Sequence, residues 1–350
     1  MLRRLSNHCL LRPADLAPSR EDLEVLGAFN PGAVATPEGV VLLVRVAERP
    51  RERRTGMTAL PRWDPAAGDL AVDWVADGDL EPVDARVVRR KADGLARLTS
   101  ISHLRVVRCG DGRRVEALDP GTLGPADGCE AFGIEDPRLT PMADACYFTY
   151  VAVSRHGAAT ALASTRDFRS FQRHGIIFPP ENKDVLLFPE PVGGLHLALH
   201  RPSGAPFTHP EMWLAASPDL VHWGHHGVFR AGDAAWELGR VGGGAPPLRL
   251  PQGWLEIYHG CAPGPGGRDL GVYSAGALLL DRDDPRRILG RSPQLFRPEA
   301  RFETEGFVPG VVFPTGIVAR GDTVLVYYGA ADTCSAVVEF SLAELLASCG

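Results

Sequence analysis

The stretch from Glu135 to Val153, EDPRLTPMADACYFTYVAV, combines a proline, a short apolar run, a turn and a second run rich in aromatic residues. Residues 30–49, 188–202, 245–260 and 313–332 follow the same order. Short runs rich in valine, leucine, tyrosine and phenylalanine between turn residues are typical of β-strands. The pattern therefore predicts five copies of one β-structural unit.

The spacing of these copies indicates the architecture. Their key prolines are Pro31, Pro137, Pro189, Pro246 and Pro314, and the first interval is much longer than the other three, so it carries an insertion. Repeats of about 50 residues provide about four strands each, as in a β-propeller blade. We expect an all-β fold, a five-bladed β-propeller with short terminal helical segments. The alternative is another all-β fold, in which the positions of glycine and proline residues resemble a repeat by coincidence.

Helical periodicity is confined to the two ends of the chain. Residues 19–27, SREDLEVLG, begin with a serine of the N-cap type and early acidic residues, and residues 341–350, SLAELLASCG, form a second candidate. We therefore expect an N-terminal helical extension over residues 1–28, the propeller over residues 29–340 and a C-terminal tail over residues 341–350.

The composition argues against several classes of protein. The net charge of −6 disfavours a nucleic-acid partner, and the basic runs at 49–54 and 86–91 are short enough to be solvated faces. The seven scattered cysteines include no Cys-x-x-Cys pair, so we expect neither a disulfide framework nor a metal site. No apolar run has the length of roughly 18 residues that a transmembrane helix needs, which predicts no membrane contact and a cytoplasmic location.

Polar side chains recur at similar places in the five copies. Asn30, Asp136 and Glu190 lie next to key prolines, and a second set follows on the returning strand of each copy: Arg45, Tyr150, His200, Arg201, His259, Tyr327 and Tyr328. An antiparallel hairpin returns the chain beside its starting point. We therefore expect a polar pocket at one end of the channel, suited to a polyhydroxylated ligand.

Asp136 is the candidate general acid of this pocket. Burial and the adjacent Glu135 are expected to raise its pKa, which would keep a carboxyl group protonated near neutrality. The alternative is a structural aspartate that accepts backbone N–H groups at a strand entry, with Arg138 as its ion-pair partner.

Positive charge is expected near the same end of the channel. Lys183, Arg201 and Arg240 occupy three consecutive copies, and His259 joins them. Cations that converge without an equal number of acids indicate an anion site, and phosphate suits it. Taken singly, each of these cations could instead be a surface or paired charge.

Nine short motifs, in order, resemble glycoside hydrolase family 130, the β-mannoside phosphorylases and β-mannosidases. They are NPGAV, GIEDPRLT, LLFPEPVGG, LHRP, ASPDLVHWG, VGGGAPP, GWLEIYHG, VVFPTGIV and VYYGAADT. The resemblance implies a five-bladed propeller that cleaves β-mannosides with inversion. In phosphorylase members inorganic phosphate is the nucleophile and α-mannose 1-phosphate the product. It also implies that Asp136 is the acid, with its proton passing through a sugar hydroxyl.

The resemblance also suggests roles for further residues. Lys183, Arg201, Arg240 and His259 are similar to the phosphate ligands of the family, although Arg240 stands where lysine is usual. The resemblance implies substrate-binding roles for Asn30, Arg45 and Asp332. Glu135, Glu190 and Tyr328 complete the expected substrate-binding set because of their places in the repeat and beside Asp136. No cofactor is implied, since inorganic phosphate is a co-substrate.

Two other functions stay open at this point. An inverting β-mannosidase would need a carboxylate base about 6.5–9.5 Å from the acid, and Glu190, Glu237 and Glu256 are candidates. A non-catalytic propeller would only bind glycans. The linkage and acceptor sugar are expected to depend on loops such as 51–73 and 261–269, and association into a homo-oligomer is left open.

Overall fold

The computed structural model describes residues 1–203, 209–264 and 271–350. The fold is all-β, with two short α-helices, α1 (Arg301–Thr304) and α2 (Leu342–Ala347), and 3-10 turns at Pro13–Asp15, Asp77–Asp79 and Gly128–Glu130. The strands in the first part of the chain are β1 (Ser6–Leu11), β2 (Leu23–Thr36), β3 (Gly39–Pro50), β4 (Met57–Asp64), β5 (Asp69–Ala76), β6 (Leu80–Pro82), β7 (Val87–Arg90), β8 (Ala96–Leu98), β9 (Ile101–Cys109) and β10 (Ala117–Leu123). The later strands are β11 (Ile134–Pro141), β12 (Cys146–Ser154), β13 (Gly157–Thr165), β14 (Gln172–Phe178), β15 (Asn182–Leu187), β16 (His196–Pro202), β17 (Met212–Ser217), β18 (Gly224–Arg230), β19 (Arg240–Leu250), β20 (Gly253–Cys261), β21 (Tyr273–Leu280), β22 (Ile288–Arg291), β23 (Val312–Arg320), β24 (Thr323–Ala330) and β25 (Cys334–Ser341).

Within the described residues the strands form five antiparallel units of four strands each. Three are separate sheets, β11–β14, β15–β18 and β19–β22. The other two, β2-β3-β9-β10 and β23-β24-β25-β1, join into one eight-stranded sheet. A parallel bridge between Ala28 and Cys334 makes that junction. Strands β4 to β8 form two small sheets between β3 and β9, which confirms the predicted insertion in the first interval.

The hydrophobic core lies between neighbouring units. Leu43 of the first unit shares a buried cluster with Phe148 of the second, and four similar clusters join the second unit to the third, the third to the fourth, the fourth to the fifth, and the fifth to the first. The first strands of the units also touch in the cyclic order β2, β11, β15, β19, β23 and back to β2. The units therefore surround a common centre.

The first strands of three units share an irregularity that shapes this centre. Asn30, Asp136 and Asp184 have left-handed backbone conformations, with φ of 50°, 51° and 55°, beside breaks in the pairing register with the second strand. Asparagine and aspartate tolerate this conformation better than most residues. Pro137 lies inside such a break, where its missing N–H interrupts no ladder hydrogen bond.

The prediction of an N-terminal helical extension is wrong. Residues 6–11 form β1, which pairs with β25 and completes the last unit, and Leu23 already belongs to β2. Ser19 does not cap a helix; its backbone N–H and hydroxyl donate to Glu48. Pairing with β25 therefore makes residues 6–11 a strand, and pairing with β3 draws most of the segment with the weak helical pattern into β2. At the other end Ser341 caps α2 by accepting from the Glu344 N–H, so the expected C-terminal helix is present.

Candidate active site

A polar cavity lies where the first strands of the units meet. The empty space within it, including the part that is open to solvent, is about 530 Å³. Eight of the eleven residues singled out from the sequence line it: Asn30, Arg45, Glu135, Asp136, Lys183, Arg201, Arg240 and Asp332.

Strand pairing explains how residues distant in the sequence reach this cavity. Arg45 on β3 lies opposite Phe29 on β2, and Arg201 on β16 lies opposite Lys183 on β15. His259 on β20 lies opposite Gly242, but its ring is buried and does not line the cavity. Second strands thus place side chains beside the irregular segments of the first strands. The convergence expected from the repeat is found for Arg45 and Arg201.

Asp136 is buried and held by two donors. Its Oδ1 accepts from Asn30 Nδ2 at 2.7 Å and from Arg45 Nη1 at 3.0 Å, while Arg45 Nη2 donates to Glu135 at 2.6 Å. Its Oδ2 has no hydrogen-bond partner among the described side chains. Burial opposes ionisation, but Arg45, Lys183 and the Asn30 bond together lower the pKa of Asp136. The expected upward shift is therefore wrong, because the cations outweigh burial and the neighbouring carboxylate.

Arg138 is not the ion-pair partner that the structural alternative proposed for Asp136. Its Nη1 donates to the carbonyl oxygens of Gly244 at 2.5 Å and Pro314 at 2.7 Å. Its Nη2 lies 3.5 Å from Asp184. Arg138, which is on β11, therefore links its own strand to three other first strands, β15, β19 and β23.

The cavity wall carries more positive charge than its carboxylates balance. Arg45 pairs with Glu135 and Asp136, and Arg201 pairs with Asp184 at 2.7 Å. Among the residues that the structure describes, no carboxylate lies within ion-pair distance of the charged nitrogens of Lys183 or Arg240. Two such cations in a partly desolvated cavity suit an anion such as phosphate.

His259 lies behind this wall rather than on it. The ring is fully buried, and its Nε2 is 3.0 Å from Arg201 Nη1 and 3.4 Å from Asp184. Burial lowers the pKa of His259 to about 3, so the imidazole is neutral at physiological pH. Through its contact with Arg201, His259 supports the cationic part of the cavity wall.

Two predicted substrate-binding residues lie elsewhere. Glu190 is half-exposed and pairs with Arg249, outside the cavity. Tyr328 is buried, and its hydroxyl donates to Asn7 at 2.7 Å and to Glu303 at 2.5 Å. Both assignments to the substrate site are therefore wrong.

The reason in each case is a shift in register. Gly329 lies opposite Phe313 in β23, the position that Arg45 takes opposite Phe29 in β2, so Tyr328 is one residue out of phase. Successive side chains in a strand point to opposite faces, so this shift turns the tyrosine away from the cavity. Tyr150 and Tyr258 face the same way, donating to buried Glu130 and Glu237. For Glu190, the sequence repeat is aligned on Pro189, whereas the irregular segment of that unit is at Asp184.

Arg86 and Tyr273 on the cavity lining, and Asp184 behind it, are polar residues of the site that sequence reasoning missed. Arg86 comes from the insertion, lines the cavity and bonds Asp332 at 2.9 Å, so the interpretation of its basic run as a solvated face is wrong at this position. Burial raises the pKa of Asp332, against the effect of Arg86 and Arg45. Asp184 could have been found from the sequence, because it directly follows Lys183, a predicted phosphate ligand, in NKDVLL.

The loops predicted to set the linkage are 51–73 and 261–269. Within the described chain, residues 51–73 contribute nothing to the lining. Residues 265–269 of the other loop lie outside the described residues.

The candidate hydrolytic bases do not line the cavity. Glu237 accepts from Tyr258 at 2.6 Å and from Arg230 at 2.6 Å, so it holds a loop in place. Glu256 is fully buried, accepts from the Gly244 N–H at 3.2 Å, and has its pKa raised to about 8 by burial. The remaining lining carboxylates, Glu135 and Asp332, are each paired with an arginine.

The described residues also bear on metal binding and on membrane crossing. In the part of the chain that the structure describes, no three His, Cys, Asp or Glu side chains are grouped to hold a metal ion. None of the helices there has the length and apolar character needed to cross a bilayer.

The scaffold and the cavity define a class of protein. A buried carboxyl group beside several cations, in a polar cavity of an all-β fold, is an arrangement that suits an enzyme with an acidic group and an anionic substrate. A family profile described as beta-1,4-mannooligosaccharide phosphorylase, Glyco_hydro_130, matches residues 95–350. The chain belongs to glycoside hydrolase family 130.

Individual relatives agree with this membership. The chain is 38% identical to a beta-1,2-mannobiose phosphorylase from Listeria innocua over 349 residues, 98% of this chain and 97% of the relative. It is 33% identical over 250 residues to a 1,2-beta-oligomannan phosphorylase from Thermoanaerobacter sp., covering 70% of this chain and 80% of the relative. The solved structure of the Listeria innocua enzyme with beta-1,2-mannobiose matches at a TM-score of 0.91, covering 97% and 96% of the two chains.

Proposed function

We propose that the protein catalyses the phosphorolysis of β-mannosides with inversion, and that β-1,2-mannobiose is its substrate. The products are α-mannose 1-phosphate and mannose. The observation that carries this proposal is that Asp136 lines the same cavity as Lys183, Arg201 and Arg240. The linkage is inferred from the similarity to the Listeria innocua enzyme.

The reaction needs an acid and an anion on opposite faces of one sugar. A phosphate oxygen attacks the anomeric carbon while the bond to the leaving oxygen breaks, and that oxygen takes the proton of Asp136, through a sugar hydroxyl as the family resemblance implies. The proton of hydrogen phosphate then restores Asp136. Lys183, Arg201 and Arg240 hold the dianion and lower the barrier by orienting it.

Phosphate itself supplies the condition under which Asp136 becomes an acid. Lys183 helps to lower the pKa of Asp136. A bound dianion offsets that positive charge and adds negative charge, so the effect of burial then favours the protonated form. Phosphate binding and proton uptake by Asp136 are therefore coupled.

The surroundings of the cavity support phosphorolysis over hydrolysis. An inverting hydrolase requires a carboxylate that is free to activate water. Glu190, Glu237 and Glu256 lie off the cavity, while Glu135 and Asp332 are engaged by Arg45 and Arg86. Cations that no described carboxylate neutralises are instead what a phosphate nucleophile requires.

The test is product analysis with β-1,2-mannobiose, with inorganic phosphate present or omitted. We expect mannose 1-phosphate only when phosphate is present. Equal turnover without phosphate, giving free mannose, would favour the hydrolase. Sugar binding without turnover under either condition would favour a non-catalytic glycan-binding protein.

We also propose one catalytic domain, a five-bladed β-propeller, which includes the predicted residues 29–340 and also residues 6–28, because these supply β1 and the start of β2. This is supported by the cyclic order of the first strands and by the core clusters between successive units. The cytoplasmic location stays a prediction, which the seven unpaired cysteines favour. Homo-oligomerisation likewise stays open to measurement.

A further inference from the structure

Asp184 is a buried carboxylate behind the part of the cavity wall that Lys183, Arg201 and Arg240 form. Its side chain is fully shielded from solvent and lies 2.7 Å from Arg201 Nη1, 3.4 Å from His259 Nε2 and 3.5 Å from Arg138 Nη2. Burial opposes its charge, but Arg201 and the other nearby cations hold the pKa of Asp184 below its ordinary range. An ionised aspartate is therefore surrounded by the groups that support the anion site.

The position of Asp184 in its unit matches that of Asp136. Both lie at the irregular point of a first strand, with φ of 55° and 51°, beside the break in register with the second strand. Such conformations cost free energy for residues other than glycine and persist where the surrounding structure requires them. In one unit this point presents a carboxyl group to the cavity, and in the next it presents one to Arg201.

We propose that Asp184 is a positioning residue that holds Arg201 and His259 in the orientation that binds phosphate. This inference rests on the proposed phosphorolysis. Arg201 Nη1 lies between Asp184 and the Nε2 of His259, and its Nε donates to Ser203 at 3.3 Å. The guanidinium is thus held at Nη1 and Nε, by an ion pair with Asp184 and hydrogen bonds to His259 and Ser203, and its Nη2 has no hydrogen-bond partner among the described residues.

The same contacts define the tautomer of His259. An arginine can only donate, so the contact with Arg201 assigns the accepting lone pair to Nε2 and the ring hydrogen to Nδ1. The 3.4 Å contact of Nε2 with Asp184 is then not a hydrogen bond, and Nδ1 is buried with no hydrogen-bond partner in the described chain. Loss of the Asp184 carboxylate would remove the ion pair that holds Arg201 and, through Arg201, the contact that orients the ring.

A different role for Asp184, as a counter-ion alone, makes the opposite prediction. A carboxylate near the anion site repels phosphate, so removing a mere counter-ion should tighten phosphate binding. Removing a positioning residue should weaken it, because Arg201 then samples orientations that do not reach the phosphate. The sign of the change therefore distinguishes the two roles.

The experiment measures inorganic phosphate binding by calorimetry, together with the separate KM values for phosphate and β-1,2-mannobiose. For Asp184→Asn we expect phosphate affinity to fall about 10- to 100-fold, with the mannobiose KM changed less than about threefold. The control Asp219→Asn, in an exposed turn, should leave both values unchanged. Unchanged or tighter phosphate binding by Asp184→Asn would overturn the inference.

A second pair of variants tests the inference even if Asp184→Asn folds poorly. If Asp184 acts through Arg201, adding Asp184→Asn to Arg201→Met should not weaken phosphate binding further. A further loss in that background would overturn the inference. Failure of the proposed function is distinct, because the unmodified protein would then release mannose from β-1,2-mannobiose without phosphate.

Discussion

Removing Arg240 and removing Arg201 should have the same effect on phosphate and different effects on stability. Both line the cavity, but Arg201 pairs with the buried Asp184, whereas no described carboxylate lies within ion-pair distance of Arg240. A hydrogen bond to a charged group contributes about 1.5–3 kcal/mol. Arg240→Met and Arg201→Met should therefore each raise the KM for phosphate about 10- to 100-fold.

Stability separates the two variants. Arg201→Met leaves Asp184 buried without its nearest cation, and breaking a buried ion pair typically costs about 3–5 kcal/mol. The remaining cation, Arg138 at 3.5 Å, should keep the loss near the lower figure. Arg240→Met leaves no described carboxylate without a partner and loses only a contact with the Tyr273 ring at 6.0 Å. The free energy of unfolding should therefore fall by less than about 1 kcal/mol.

The assay combines initial rates at varied phosphate with denaturant unfolding of each variant. Arg249→Met is the matched control, because Arg249 pairs with Glu190 outside the cavity and should change neither the phosphate KM nor the products. An unchanged phosphate KM in Arg240→Met would refute its place in the anion site. Equal stability of the Arg240 and Arg201 variants would refute the ion-pair reasoning.

Three further perturbations test other parts of the site. Asp136→Asn should lower kcat at least about 100-fold while mannobiose binding, measured by calorimetry, persists; normal turnover would remove Asp136 as the acid. Arg86→Ala should raise the mannobiose KM more than the phosphate KM, because Arg86 holds the cavity carboxylate Asp332, and the reverse order would contradict this role. Burial raises the pKa of Glu256 from 4.5 to about 8, so the folded protein keeps a proton that the unfolded chain releases, and stability falls as pH rises through that window. Glu256→Gln should flatten this slope of unfolding free energy against pH by up to about 1.4 kcal/mol per pH unit. The exposed control Glu190→Gln should keep the slope of the unmodified protein. Identical slopes for the unmodified protein and both variants would show that Glu256 is ionised when folded.

Several residues that line the cavity hold positions that the repeat made visible. Asp136 directly precedes a key proline, and Arg45 and Arg201 lie on the returning strands of their copies. Tyr328 is misplaced because an approximate distance from the key proline does not resolve which face of a strand a side chain occupies. A register shift of one residue is enough to move a side chain from the cavity face of a strand to its core face.

Other features depend on contacts that no local pattern records. Arg86 lies in an insertion outside the repeat, so nothing in its own segment indicates a partnership with Asp332, which is remote in the sequence. Strand β1 forms only because β25, near the opposite end of the chain, presents a free edge. The direction of the pKa shift at Asp136 likewise depends on Arg45 and Lys183, which come from other units.

The central claim is that one cavity holds a phosphate nucleophile and the Asp136 carboxyl group on opposite faces of the same mannose ring. A crystal structure of Asp136→Asn with β-1,2-mannobiose and inorganic phosphate tests this most directly. We predict the phosphate against Lys183, Arg201 and Arg240, with the side chain at position 136 facing the leaving group across the anomeric carbon. Phosphate bound away from these cations, or a sugar that does not lie between them and position 136, would contradict the claim.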